Sequence, residues 1–141
     1  MATLNATLTL SSADLTSSES LNLTLTDALD VMGPVETKRM AIASGAANLA
    51  QTPLAILAAT SYKKSYVLLY NTSTTVGEVI TIGTAASSGA ALEPTATQIS
   101  LAGGAAGGEW CFFPWESDVD LMADAITGTP ILEVRIFQNP V

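Results

Sequence analysis

Four carboxylates lie close together in the chain, at Glu116, Asp118, Asp120 and Asp124, and one thiol precedes them at Cys111. Clustered oxygens are what a hard divalent cation such as calcium requires. Asp118 and Asp120, however, alternate with Val119 and Leu121, the pattern of a strand that turns its carboxylates to solvent. Residues i and i+2 of a strand stand about 6.7 Å apart, so that pair alone cannot grip one small cation. The expectation is a solvated face, with weak divalent binding as the alternative.

The sequence contains no histidine, which removes Ser-His and Cys-His nucleophilic catalysis and every His-ligated metal centre. Cys111 has no second cysteine with which to form an internal disulfide, and Trp110 and Phe112 beside it point to burial as a small hydrophobe. The glycine-rich stretch Gly103 to Gly108 lacks the Lys-Ser or Lys-Thr ending of a phosphate loop and runs into Glu109, which would repel phosphate. It reads as an inter-strand loop. No carboxylate pair is singled out for acid and base roles. The residues therefore predict no catalytic site, no metal site and no cofactor. Asn5, Asn22 and Asn71 each begin an Asn-X-Ser/Thr triplet, but Ser and Thr occupy 31 positions and such matches arise by chance.

A length of 141 residues suits one compact domain with one core. Hydrophobic residues make up 48% and charged residues 13%, which excludes a disordered chain. The 22 alanines inflate the apolar fraction, so the three Phe, three Tyr and two Trp mark where bulk is spent. The formal charge is −8, and the five basic residues fall at Lys38, Arg39, Lys63, Lys64 and Arg135. They form no basic stripe, so neither nucleic acid nor an anionic membrane is an expected partner. The longest apolar run, Leu54 to Ala59, is far shorter than the roughly 20 residues a spanning helix needs. The start of the chain has no cationic and apolar signal pattern, so synthesis and folding in a cytosol are expected.

The elements that must position these residues are read from period-2 alternation. Leu4, Ala6, Leu8 and Leu10 alternate with Thr3, Asn5, Thr7 and Thr9, and Leu21, Leu23 and Leu25 repeat the pattern with Asn22, Thr24 and Thr26. Asp27 to Met32 is open between a helical turn and a bend, and Gly33-Pro34 interrupts what precedes it. The boundary expected there divides an N-terminal strand pair or arm, residues 1–34, from a β-sandwich domain, residues 35–141, the two forming one compact unit. Thr52-Pro53 could start a short helix through Ala59, with a strand as the equal alternative. Ser65 to Asn71 and Glu78 to Gly83 read as a hairpin, and Gly83 to Ala91 as a small-residue linker. Further strands are expected at Gln98 to Leu101, Glu109 to Trp115, Val119 to Ala123 and Ile131 to Phe137. The predicted class is all-β, an antiparallel β-sandwich or jelly-roll-like barrel with at most one short helix.

In strand geometry Trp110, Phe112 and Pro114 point one way while Cys111, Phe113 and Trp115 point the other, so both faces are apolar. A strand of a two-layer sandwich buries only one face in its own core. The other must be covered by another segment of the chain or by another subunit, and Tyr66, Leu68 and Tyr70 raise the same demand. Trp110, Phe112, Phe113, Trp115, Tyr66 and Tyr70 are therefore the candidate interface residues.

The run Leu57-Ala-Ala-Thr-Ser-Tyr-Lys-Lys-Ser-Tyr-Val-Leu-Leu-Tyr-Asn71-Thr-Ser, then Val79-Ile-Thr-Ile-Gly83, resembles a unit of small β-sandwich accessory proteins of tailed-bacteriophage virions. Gly107-Gly-Glu-Trp-Cys-Phe-Phe-Pro-Trp115, Val119-Asp-Leu-Met-Ala-Asp-Ala125 and Gly128-Thr-Pro-Ile-Leu-Glu-Val134 continue the same order. The resemblance extends from about Ala55 to Phe137 and leaves Met1 to Asp30 unmatched. It implies a head decoration or cement protein, with head-fibre, tail and neck components as close relatives. It also implies a homo-oligomer, trimer before dimer, bound to the major capsid protein in a virion assembled in the host cytoplasm. No catalytic residue comes with it.

Overall fold

The computed structural model describes residues 2–13, 21–43, 54–57, 64–85, 92–116 and 120–139. In chain order the strands are β1 (Ala2–Ser12), β2 (Leu21–Ala41), β3 (Leu54–Leu57), β4 (Lys64–Asn71), β5 (Val79–Ala85), β6 (Leu92–Ala102), β7 (Trp110–Glu116), β8 (Leu121–Ala125) and β9 (Ile131–Gln138). They form a five-stranded sheet of order β1-β2-β9-β4-β7 and a four-stranded sheet of order β3-β8-β5-β6. Every pairing is antiparallel, and neither sheet closes on itself. The fold is all-β and has the two-layer arrangement of a β-sandwich, with no helix among the described residues.

Alternation in β4 sets the layers. Ser65, Val67, Leu69 and Asn71 are buried, while Lys64, Tyr66, Leu68 and Tyr70 lie on the opposite face. Val67 and Leu69 join Leu132, Val134 and Ile136 of β9 in one core cluster with Ile80 and Ile82 of β5, Leu101 of β6 and Leu121 of β8. Each such side chain contributes about 1.5–3 kcal/mol when fully removed from water.

Two expectations about connectivity are corrected. The strands around Tyr66 and Ile80 do not form a hairpin: β4 pairs with β7 and β9, whereas β5 pairs with β6 and β8. The connection after Asn71 carries the chain from one sheet to the other, since periodicity reports which face a residue occupies but not which strand lies beside it. Nor does Gly33-Pro34 end an element. β2 runs through it for 21 residues, and the interruption survives as a register shift between Met32 and Glu36. Leu21–Val31 of β2 pair with β1, and Met32 and Glu36–Ala41 pair with β9 on either side of the shift.

Residues 54–57 take the strand rather than the helix, while the flanks of that segment lie outside the described residues. Of the linker read from Gly83 to Ala91, residues 83–85 belong to β5 and the remainder falls outside them.

Candidate interaction surface

The register of β7, β4 and β9 stacks large side chains into cross-strand rows on the outer face of the five-stranded sheet. Trp110 lies opposite Tyr70, which lies opposite Glu133; Phe112 opposite Leu68, then Arg135; Pro114 opposite Tyr66, then Phe137. The Tyr66 and Phe112 rings are stacked at 6.2 Å between centroids, and Phe137 meets Phe112 edge-on at 6.3 Å. Such pairs add about 0.5–1.5 kcal/mol beyond their area. Trp110 remains 58% exposed and Phe112 36%. Four of the six candidate residues, Tyr66, Tyr70, Trp110 and Phe112, thus share one face.

Phe113 and Trp115 face inward instead. Trp115 is buried in the core cluster, and Phe113 packs against that cluster with its ring 6.4 Å from Trp115. The two faces of β7 look alike in composition, and only the packing of the sheets decides which is inside. The Trp115 Nε1 and Ser65 Oγ atoms, on cross-strand partners, are buried without a hydrogen-bond partner among the described residues.

A charged border closes the outer face towards β2. Glu133 accepts from Arg135 at 2.7 Å and lies 3.8 Å from Arg39. Lys64 pairs with Glu116 at 3.4 Å at the other end of β4 and β7. These are exposed pairs worth little to stability.

The N-terminal hairpin stands over this face. Partners in an antiparallel ladder share a face, so Leu4 with Leu29, Leu8 with Leu25 and Leu10 with Leu23 build one leucine side on the β1/β2 ribbon. Leu4, Leu8 and Leu25 line a groove of about 580 Å³ against Leu68, Trp110 and Phe112. The ribbon does not seal the face, because Leu8, Leu10, Leu23 and Leu25 all keep more than a third of their surface exposed. Sequence alternation shows the ribbon's leucine side but gives no signal that the ribbon lies across the aromatic rows.

The described carboxylates of the acidic cluster do not converge on one site. Asp120 is buried, not on a solvated strand face, because the strand begins one residue later, at Leu121. Glu116 is exposed on β7, Asp124 is half-buried on β8 in the other sheet, and Asp118 lies outside the described residues. No group of three or more potential metal ligands forms among the described residues. Cys111 is half-buried against the core, and desolvation pushes its thiol up to about 11, partly offset by a hydrogen bond from the Leu69 backbone. At neutral pH it is a thiol, the unreactive form.

No family model matches the chain, and neither a curated protein nor a solved structure matches it significantly.

Proposed function

We propose that this chain is a non-enzymatic virion structural protein that decorates a capsid, bridging adjacent shell subunits and associating with copies of itself. The observation that carries the reading is the apolar surplus of the five-stranded sheet: an aromatic outer face, backed by a full core, beneath a leucine ribbon that leaves both partly exposed. Contiguous apolar surface of this kind is uncommon on monomers and marks contact sites. The sequence resemblance to phage accessory proteins supplies the setting, a virion assembled in the host cytoplasm, and the major capsid protein as partner.

The mechanism is additive. Each contact removes apolar surface from water at about 25 cal/mol per Å², less the ordering cost of association, and a closed shell repeats it at every site. A ligand that binds only the intact lattice stabilises it by mass action. Shells lacking the protein should assemble but lose genome or rupture at lower temperature, and purified protein added back should restore them. Equal rupture temperatures with and without the protein at full occupancy overturn the cement role.

One observation favours a tail or fibre module that binds carbohydrate or protein: Trp110, the most exposed aromatic of the face, is the cross-strand partner of Tyr70 and offers its ring to a sugar. Copy number separates the two readings. Hundreds per particle support decoration, and a handful support a tail or fibre.

A further inference from the structure

The outer strands are β1 and β7 in one sheet and β3 and β6 in the other, and each half of β2, which pairs with β1 or with β9 but not with both, has a second side that no described strand takes up. An open edge presents backbone groups that another strand can take up, and proteins protect such edges with proline, charge or brevity. Most of these edges are protected: β7 carries Pro114 and Glu116, β6 carries Glu93 and Pro94, the described part of β3 is four residues long, and the halves of β2 carry Asp27 and Asp30 or Glu36, Lys38 and Arg39. The edge of β1 is not. β1 has 11 residues with neither a proline nor a charge, in a chain of net charge −8. No described strand pairs with its outer side.

We infer that the outer edge of β1 is the self-association edge, and that its occupant is β1 of a second copy, paired antiparallel about a twofold axis at Thr7. The inference rests on the reading of the chain as a self-associating structural protein. The strand is complementary to itself in that register: Leu4 meets Leu10, Ala6 meets Leu8, and Asn5 meets Thr9, so apolar lies against apolar and polar against polar. A one-residue slip would set leucines against threonines. Eleven residues at about 3.4 Å each give a ladder about 37 Å long, with about ten backbone hydrogen bonds, the number a typical protein interface carries.

Charge selects the same occupant. Two copies of a strongly acidic protein repel, and β1 is the long described edge that carries no carboxylate. The pairing also mends a local weakness, since a two-stranded ribbon is marginal alone and three or more strands with an apolar face are not. The product, β2-β1-β1-β2, carries one leucine face four strands wide. Its symmetry is twofold and departs from the threefold implied by the resemblance.

The test uses full-length protein with Cys111→Ala as background. Across a twofold at Thr7 the facing Cα atoms lie about 4.5–5.5 Å apart, within the range of about 4.4–6.8 Å that a disulfide spans. Thr7→Cys should oxidise to a covalent dimer. Asn5→Cys or Thr9→Cys alone should not, but a mixture of those two should. In a separate variant Thr7→Glu sets like charges face to face and should weaken association about tenfold or more, with far-UV circular dichroism unchanged. A species of only 14.5 kDa by native mass spectrometry at 100 μM overturns both this inference and the self-association on which it rests. An oligomer that survives Thr7→Glu, or that gives no Thr7→Cys cross-link, overturns the β1 edge alone and leaves self-association standing.

Discussion

The Asn71 side chain, at the end of β4, donates to the main-chain carbonyl of Leu101 on β6 at 2.9 Å, and so ties one sheet to the other. The same amide donates to the Glu78 carbonyl at 2.9 Å, while its oxygen accepts from the Ser73 backbone at 3.0 Å. One buried side chain therefore satisfies the backbone at the corner where the chain changes sheets. Gly108 passes so close that a Cβ there would overlap the Asn71 carbonyl oxygen.

Asn71→Ala removes three hydrogen bonds, those donated to the Leu101 and Glu78 carbonyls and the one accepted from Ser73, while the Glu78 carbonyl keeps the Gly103 amide as a donor, and each lost bond costs about 0.5–1.5 kcal/mol. The expected loss is about 2–4 kcal/mol, read as a lower urea midpoint at unchanged slope. Asn71→Asp should cost at least as much, because it sets a carboxylate against those carbonyls.

The two tryptophans of β7 should behave oppositely. Trp115→Ala empties a core position and should cost about 3–5 kcal/mol. Trp110→Ala removes an exposed ring and should cost less than about 1 kcal/mol in folding. Chemical denaturation of both variants checks the order, and reversal of that order would refute the assignment of faces.

Cys111 gives a pH dependence whose sign follows from its thiol, raised from the ordinary 9.0 to about 11. The unfolded chain releases this proton first, so it binds fewer protons than the folded state between those values, and stability falls there as pH rises. The contribution is complete below pH 9 and lost as pH climbs towards 11. Cys111→Ala should flatten the stability curve over that window relative to the parent, and the parent thiol should react slowly with a thiol reagent at pH 8 until the protein is denatured.

Salt should disturb association little. Lys38, Arg39, Lys64 and Arg135 each already face a carboxylate within 4 Å, which leaves few cations to recruit a partner. Between about 0.1 and 1 M salt the Debye length falls from about 10 to 3 Å, and the dissociation constant of the oligomer should move by less than about threefold. A steeper loss would indicate charge pairing, with Lys63 among the groups to test.

Much of this was legible in the residues, and the gaps have physical causes. Strict alternation placed Leu4 to Leu10 and Leu21 to Leu25 in strands, because a half-buried strand must alternate, whereas Ser65 to Asn71 was placed by its aromatic and β-branched content. Strand geometry also showed that β7 has two apolar faces. It could not show that Trp115 is the inner tryptophan, since that depends on which side the second sheet takes. The β4 to β5 crossover was hidden because a polar loop joins a hairpin or a sheet change equally well. Asp120 was misplaced because the strand expected from Val119 starts two residues later, at Leu121, so Asp120 precedes it and alternation does not set which way its side chain faces.

The position of β9 bears on how the protein can be made. It is the last of the described strands, yet it sits in the middle of the five-stranded sheet, between β2 and β4. Until Ile131–Gln138 has left the ribosome, β2 beyond Met32 and β4 each lack the neighbour that joins them, and the sheet exists only as two separate pieces. The stretch from Ala41 to Ile131 takes seconds to synthesise at about 5–20 residues per second, and the closing contacts are long-range, which slows folding further. A chain truncated before Ile131 therefore has an N-terminal ribbon with no body to hold it. Strand order thus makes completion of the five-stranded sheet wait on β9.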